Sequence, residues 1–285
     1  MEPVQSIAKR VRALEQQLRQ NRQISSSKVL EANIKLYECD KCKDECVIVD
    51  EERSTAFVCS CVAQKRVNRV LRHSRISEEF RSKTFDSFDT AGKDERIVKA
   101  YQMAKQYAYR FDAIRGTAKN GFGIVGASGV GKTHLLCAIA NDLLGKGIGV
   151  RYFNFVTGFK EMFAKYDDGG QAVEDIRFAL MSCDVLMMDD IAKGKLDKKT
   201  GHVEIGKGVY DEMYAIVDYR YENRLPIIWS SELYSRLASE DILGEATSTR
   251  LFEKSTIATI LYGRDEPVGM LNYRIRDLVE QKYKN

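Results

Sequence analysis

Residues 121–134 of this 285-residue chain read GFGIVGASGVGKTH, an apolar run that leads into a glycine-rich loop. Gly126, Gly131, Lys132 and Thr133 fit the spacing G-x-x-x-x-G-K-[ST]. Glycines let the backbone of such a loop turn several N–H groups toward one anion, and the following helix adds the positive end of its dipole. The chain is thereby restricted to folds in which a strand, a phosphate-binding loop and a helix follow one another.

The loop predicts a site for ATP and Mg²⁺. Lys132 is expected to reach the β- and γ-phosphates, and the hydroxyl of Thr133 to ligate Mg²⁺. The predicted nucleotide-binding residues are Gly126, Ala127, Ser128, Gly129, Val130, Gly131, Lys132, Thr133 and His134. A chance match is the alternative, and the flanking apolar run FGIV and amphipathic stretch HLLCAIANDLL argue against it.

A second motif, DVLMMDDI at residues 184–191, places two carboxylates directly after four apolar residues. This pattern is typical of a buried central strand, and ligands of a doubly wound sheet bind at the carboxyl ends of its strands. Asp189 is expected to hold Mg²⁺, and Asp190 to orient or deprotonate an attacking water. The alternative is that only one of the two is functional while the other caps a turn.

Three further segments contain candidate residues. Ser230 and Ser231 end another apolar run, LPIIWSSEL, and either hydroxyl is a candidate for sensing a γ-phosphate, although a strand ending in serine is common. Arg250 begins an amphipathic helix in ATSTRLFEKS, and Arg274 and Arg276 lie at the start of a final predicted helix. An arginine that completes a neighbouring subunit's site is worth about 10³–10⁵ in rate, but most arginines are simply exposed.

From Gly121 onward, predicted strands and helices alternate. The strands are expected at 122–125, 149–155, 184–189, 226–230 and 256–262, and the helices at 132–145, 157–166, 171–182, 206–222, 245–254 and 272–283. This alternation predicts an α/β domain with a mainly parallel sheet and helices on both faces. The preceding segment 83–95 has turn formers and no sustained period, and is interpreted as the lead into this domain.

Taken in order, GASGVGKTHLL, DVLMMDDI, IIWSS, TRLFE and NYR resemble the motifs of DnaC/DnaI-type replicative helicase loaders. These are AAA+ ATPases close to the DnaA initiators and the IstB transposition ATPases. The resemblance covers about residues 80–280. It implies an AAA+ P-loop fold, weak ATP hydrolysis stimulated by partners or DNA, and self-association through the AAA+ domain. The implied partners are a hexameric replicative helicase and single-stranded DNA.

The same resemblance implies roles for individual residues. Asp189 matches the Mg²⁺ carboxylate, and Asp190 stands where most AAA+ proteins have Glu but the initiator and loader branch typically has Asp. Ser231 stands where the family usually has Asn as the first sensor. A hydroxyl reaches less far than an amide, so this departure bears on the strength of hydrolysis. Arg250 matches the arginine finger, and Arg274 matches the second sensor.

Five of the seven cysteines fall between positions 39 and 61. Cys39 and Cys42 form a C-x-x-C pair, and Cys59 and Cys61 form a C-x-C pair. The two pairs are separated by 16 residues, which read as two short strands around a turn. Two such pairs suit tetrahedral Zn²⁺, which would supply the folding energy of a segment too short to build a core. Cys46 is an alternative to Cys59 or Cys61, and free thiols are the alternative to a metal site. The resemblance also places a small zinc domain here in loaders of Gram-positive bacteria and their phages.

The segments around the cysteines have their own patterns. Apolar residues at spacings of three and four predict an amphipathic helix that packs on a partner or on its own protein; they are Val4, Ile7, Val11, Leu14 and Leu18. Between positions 62 and 83, seven Lys or Arg accompany two Glu, which suggests either a polyanion partner or a solvated face. The predicted organisation is an arm at 1–36, a zinc module at 37–64, a basic linker at 65–90 and an AAA+ domain at 91–285.

Composition narrows the class of protein. Hydrophobic residues make up 44% of the chain and charged residues 30%, as in globular proteins. No apolar run reaches the ~20 residues that span a bilayer, and the first residues lack a signal-peptide core, so the cytoplasm is the expected compartment and no membrane partner is expected. Two other functions stay open: a transposition ATPase of the IstB kind, and an adaptor in which ATP is only a switch. A metabolic kinase is the least favoured.

Overall fold

The computed structural model describes 39, 41–50, 55–59, 61–62, 65, 74–165, 170–193, 195–196, 203–233, 237, 242–263, 266 and 271–275. The chain divides into two compact units, Met1–Val62 and Ala63–Asn285. The predicted amino-terminal helix lies outside the described residues, as does residue 276. Of the final predicted helix at 272–283, the described residues 272–275 are not helical and form mainly turns.

The described part of the first unit contains a β-hairpin. Strand β1 (Val47–Asp50) pairs antiparallel with strand β2 (Thr55–Val58), as the sequence predicts. Its large apolar side chains are mostly exposed, for example Phe57 at 55% and Val58 at 75%. An apolar core therefore does not hold this hairpin together within its described residues.

The second unit contains seven helices and seven strands among its described residues. The helices are α1 (Glu78–Arg81), α2 (Glu95–Ile114), α3 (Lys132–Gly145), α4 (Phe155–Phe163), α5 (Gln171–Ser182), α6 (Lys207–Glu222) and α7 (Gly244–Lys254). The strands are β3 (Gly121–Gly126), β4 (Val150–Asn154), β5 (Val185–Ile191), β6 (Lys195–Leu196), β7 (Val203–Glu204), β8 (Ile227–Ser231) and β9 (Ser255–Ile260). None of the described helices combines the length and the apolar character needed to cross a bilayer.

Five of these strands form one parallel sheet in the order β4-β5-β8-β3-β9, while β6 and β7 form a small antiparallel pair. Successive residues of a strand face opposite sides, and the buried side chains accordingly belong to two apolar clusters. Phe122 and Ile124 of β3 belong to the cluster that includes α2 and α3, and Val125 belongs to the other. The predicted α/β fold with both sheet faces covered is confirmed, and the carboxyl ends of β3, β5 and β8 meet at one edge.

Helix α2 was not predicted from the sequence, although it is 20 residues long. Its first residues are capped by Asp94, whose side chain accepts a hydrogen bond from the backbone N–H of Arg96. Its buried stripe recurs at spacings of three and four and consists of Ile97, Ala100, Ala104, Tyr107, Ala108 and Phe111. Small alanines make up half of this stripe, so the apolar periodicity is weak in the sequence.

The described part of the predicted basic linker packs onto the rest of the second unit. Ile76 and Phe88 are 4% and 5% exposed and belong to the same apolar cluster as helices α2 and α3. Asn141 of α3 donates hydrogen bonds to the carbonyls of Phe80 and Lys83. The segment from 74 to 90 therefore forms part of the wall of the large unit.

Candidate functional site

The glycine-rich loop joins β3 to α3 through two residues in the left-handed region. Gly129 has φ of 77° and Gly131 has φ of 95°, a conformation that favours glycine at both positions. A Cβ on Gly129 would lie 1.8 Å from Oδ1 of Asn272, and one on Gly131 would lie 2.8 Å from the ring of Phe88. The loop is thus enclosed by two distant parts of the chain, which fixes its shape.

Lys132 begins α3 and is only 5% exposed. Its Nζ donates to the carbonyls of Gly126 and Ala127, both at 2.9 Å, and lies 3.4 Å from Oε1 of Glu232. Burial lowers the pKa of this ammonium, and the Glu232 carboxylate acts in the opposite direction. Because the Lys132 ammonium is buried, with the Glu232 carboxylate beside it at 3.4 Å, binding of an additional anion at this position is favourable.

Thr133 and Asp189 meet although they are far apart in the sequence. Thr133 Oγ1 donates to Asp189 Oδ1 at 3.1 Å, and the hydroxyl of Ser230 donates to the same oxygen at 2.6 Å. Asp189 is 3% exposed, and burial raises the pKa of its carboxyl group while the Ser230 hydrogen bond opposes the shift. A hydroxyl and a carboxylate are hard oxygen donors of the kind Mg²⁺ prefers, so this pair fits the predicted ion.

Asp190 follows at the end of β5 with φ of 58°. Its backbone N–H donates to the hydroxyl of Ser230 at 2.9 Å, and its Oδ2 accepts from Nζ of Lys193 at 2.9 Å. This hydrogen bond to Asp190 raises the pKa of the Lys193 ammonium. The carboxylate that the sequence singles out as a water-activating group is therefore held by a lysine three residues later.

Ser231 is completely buried, and its hydroxyl is used within the backbone. The hydroxyl donates to the carbonyl of Ile191 at 2.9 Å and accepts from the N–H of Leu233 at 3.1 Å. The next residue, Glu232, lines the cavity and lies within 4.0 Å of Nζ of Lys193. Glu232, rather than Ser231, faces the candidate phosphate site in this structure.

A cavity of about 450 Å³ opens over these groups. Predicted residues that line it are Ser128, Gly129, Gly131, Lys132, Thr133, His134, Asp189, Asp190 and Arg274. Lining residues that sequence reasoning missed are Glu79, Phe80, Lys83, Tyr152, Asn154, Lys193 and Glu232. The volume is within the range of about 300–1,000 Å³ usual for small-molecule sites. Val130 is instead 2% exposed and belongs to an apolar cluster.

One wall of this cavity comes from the segment before α2. The ring of His134 makes hydrogen bonds with Thr84 O at 3.0 Å and Ser87 Oγ at 3.2 Å, and it meets Phe88 edge-on. Burial lowers the pKa of His134. Phe80 meets Tyr152 of β4 edge-on at 5.4 Å between ring centroids. From the sequence, residues 83–95 are interpreted only as the lead into this domain, and no pattern indicates that they border the cavity.

The two candidate arginines are placed differently. Arg274 is exposed and lines the cavity, and its backbone N–H donates to Oδ1 of Asn272 at 3.1 Å. Arg250 lies on α7, where its Nε is 2.9 Å from Oδ1 of Asp218, and it does not line the cavity. Among the described residues, the cavity therefore contains Arg274 but not Arg250.

Four cysteines converge in the first unit. The Sγ atoms of Cys39, Cys42, Cys59 and Cys61 all lie within 4.8 Å of one another. Four sulfurs at the Zn–S distance of about 2.3 Å from one tetrahedral ion would be about 3.8 Å apart. The donor set and its dimensions fit Zn²⁺, and Cys46 lies outside this cluster with its Sγ 3.6 Å from the carbonyl of Asp44.

The fold and the nucleotide cavity define a P-loop nucleotide-binding domain of the AAA+ type. Residues 48–260 match the family described as IstB-like ATP binding protein. The chain belongs to this family. It is also 32% identical over 244 residues to the phage-like element PBSX protein XkdC of Bacillus subtilis (strain 168), a match that covers 84% of this chain and 88% of that protein.

Solved structures with this fold include a DnaC helicase loader and AMPPCP-bound DnaA from Aquifex aeolicus. The loader has a TM-score of 0.54 and 21% identity, over 65% of this chain and 99% of that chain. DnaA has a TM-score of 0.52 and 20% identity, over 74% of this chain and 57% of that chain. At these identities the likeness shows the fold alone. The predicted AAA+ fold is confirmed, with the IstB-like proteins as the family and a DnaC helicase loader and DnaA as structural neighbours.

Proposed function

We propose that this chain is an ATP-dependent loader that binds a hexameric replicative helicase and places it on single-stranded DNA. The observation that carries the proposal is the contact between Thr133 and Asp189 beside the buried Lys132, in a fold shared with the DnaC helicase loader. The similarity to XkdC, a protein of the phage-like element PBSX, supports a loader of the phage type. As a loader of this kind, the protein would act in the cytoplasm.

In this proposal the nucleotide cavity hydrolyses ATP. Lys132 binds the β- and γ-phosphates in place of the carbonyls of Gly126 and Ala127 that it now contacts. Thr133 and Asp189 hold Mg²⁺, which neutralises phosphate charge when bound. Asp190 orients or deprotonates the attacking water. The backbone around Ser128 and Gly129 contacts phosphate.

Other residues act at the edges of this site. Arg274 contacts the nucleotide from the far side of the cavity, which it already lines. Arg250, which does not line its own cavity, reaches the nucleotide of the next copy as an arginine finger in a homo-oligomer. ATP-bound copies hold single-stranded DNA mainly through its phosphates, so binding weakens as salt rises.

The cysteine hairpin and the amino-terminal arm form the helicase-binding part. Cys39, Cys42, Cys59 and Cys61 hold one Zn²⁺, which gives the hairpin the stability that its exposed side chains do not. Exposed apolar residues of the hairpin, such as Phe57 and Val58, are suited to contact another protein.

The enzymatic part is tested by ATP turnover of the full chain with and without single-stranded DNA. Lys132→Ala removes the phosphate contact and Asp190→Asn removes the water-orienting carboxylate, so each is expected to lower turnover at least ~100-fold. Lys105→Ala on the outer face of α2 is the control and should leave turnover unchanged. Turnover that survives both site substitutions would refute the assignment.

Two alternative functions have specific support. The match to the IstB-like family supports a transposition ATPase that recruits a transposase, and the cysteine cluster supports the loader instead. The buried hydroxyl of Ser231 and the pairing of Asp190 with Lys193 support an adaptor that binds ATP without hydrolysing it. Nucleotide binding without turnover, with or without DNA, would favour that adaptor.

A further inference from the structure

A groove runs between helix α2 and the outer edge of strand β9. It consists of two cavities of about 270 and 350 Å³ that share Met103 and share no residue with the nucleotide cavity. Among the described strands, β9 pairs only with β3, so its other edge is unpaired. An unpaired edge presents a row of backbone N–H and C=O groups to any extended chain that lies beside it.

The rim of this groove is basic. Lys99 borders one cavity, Arg110 and Lys119 border the other, and all three side chains are exposed. None of the three forms an ion pair with a carboxylate among the described residues. Arg96 at the same rim is different, because Asp94 and Glu266 each lie 2.7 Å from its guanidinium.

The floor of the groove is apolar and the strand beside it is uncharged. Met103, Ile114, Ile257 and Leu261 supply most of the apolar lining. The sequence of β9, STIATI, contains neither charge nor proline. Natural edge strands usually contain a charged residue or a proline, because either one hinders pairing with another chain. Among the described residues, the outer edge of β9 therefore has neither a strand partner nor a feature that opposes pairing.

The spacing of the rim charges sets the length of the occupant. Lys99 and Arg110 are 11 positions apart on α2, on the same side of the helix as Met103 and Gln106. At a rise of 1.5 Å per residue this separation is about 16 Å, which equals about five residues of extended chain. Side chains on one face of a strand are an even number of positions apart, so two carboxylates six positions apart, about 20 Å, would face both cations, and the long Lys and Arg side chains cover the difference.

We propose that this groove binds an extended acidic segment of a partner protein, which adds to the sheet as a strand along β9. Main-chain hydrogen bonds supply affinity, the two cavities take apolar side chains, and the basic rim selects carboxylates at both ends. A nucleic acid fits less well, because the one aromatic side chain in the groove, Tyr107, is 5% exposed and unavailable for stacking on bases. The chain's own last ten residues, RDLVEQKYKN, carry more basic than acidic groups and do not complement the rim.

The test uses fluorescence anisotropy of the full chain with the dye-labelled peptide Glu-Thr-Val-Thr-Val-Thr-Glu, in which both Glu and both Val lie on one face of the strand. The double variant Lys99→Glu, Arg110→Glu should weaken binding about tenfold or more, because it reverses both rim charges. Lys105→Glu is the matched control on another face of the same helix and should change binding less than twofold. A peptide N-methylated at alternate residues should also bind about tenfold more weakly, since it cannot pair with the strand.

Several results would overturn the proposal. Equal binding of Lys-Thr-Val-Thr-Val-Thr-Lys, or no loss in the double variant, would exclude charge recognition at this groove. Loss of binding to a dye-labelled oligo-dT in the same variant, without peptide binding, would assign the groove to nucleic acid. Loss of a dimer in light scattering would assign it to self-association. If the double variant has a lower Tm than the wild type, the variant Lys99→Gln, Arg110→Gln replaces it and should also bind the acidic peptide more weakly.

Discussion

At the scale of single residues, the surroundings of Asp189 indicate that the nucleotide site favours a bound cation. Its carboxylate is 3% exposed, and the two hydrogen bonds it accepts, from Thr133 and Ser230, come from neutral hydroxyls. Burying a carboxylate without a bound cation costs free energy, and this cost is the reason that burial raises its pKa. A site with this arrangement is most stable when a cation is bound beside the carboxylate.

Asp189→Asn tests this interpretation in the absence of metal and nucleotide. A carboxyl whose native pKa is raised destabilises the fold increasingly as pH rises from its unfolded to its native pKa, and the cost persists above that window. The variant should therefore have a higher Tm than the wild type at pH 7, and the difference should shrink toward pH 4. With Mg²⁺ and ATP present, only the wild type should gain Tm. An unchanged or lower Tm at pH 7 without Mg²⁺ would contradict the account.

Asp190→Asn is the matched control for that experiment. The Asp190 carboxylate already pairs with Lys193 at 2.9 Å, so its substitution removes a favourable contact rather than a buried charge. Its Tm at pH 7 should equal or fall slightly below that of the wild type, because a partly exposed ion pair contributes no more than ~1 kcal/mol to the free energy of unfolding.

At the scale of elements, the strands that carry motifs were predictable and the walls around them were not. The sheet and the loop at 126–133 follow from local patterns, because each motif contains its own strand or helix signal. Thr133 and Asp189 meet because the carboxyl ends of the parallel strands β3 and β5 lie at one edge of the sheet. Helix α2 was missed because its buried stripe is rich in alanine. Glu232, Lys193 and Phe80 were missed as cavity residues because tertiary folding, rather than any motif, brings them there.

Among the described elements, the hairpin β1–β2 is the one whose stability we expect to depend most on a bound metal ion. We expect one Zn²⁺ per chain by atomic absorption, and Cys42→Ser should lower that content by at least half because it removes one of four clustered sulfurs. Cys46→Ser is the control, since its Sγ lies outside the cluster and contacts the carbonyl of Asp44. Equal zinc loss in both variants would exclude the four-cysteine assignment, as would a wild-type chain without zinc.

At the scale of the whole molecule, two compact units have different sources of stability. The unit at 63–285 has two apolar clusters on the two faces of a five-stranded sheet. The described part of the unit at 1–62 has exposed apolar strands and a cluster of four thiols. The proposed division of labour follows from this contrast: nucleotide is bound by the self-sufficient unit, and a protein partner by the unit with exposed apolar surface.

The most direct test of that account is size-exclusion chromatography with light scattering of the full chain mixed with the cognate replicative helicase, with and without ATP. The account predicts one complex that contains a helicase hexamer and several copies of this chain, with ATP changing the number of copies bound. Lys132→Ala should abolish the effect of ATP while retaining the contact through the first unit. Separate elution of the two proteins at micromolar concentrations, with ATP and without it, would contradict the proposed function.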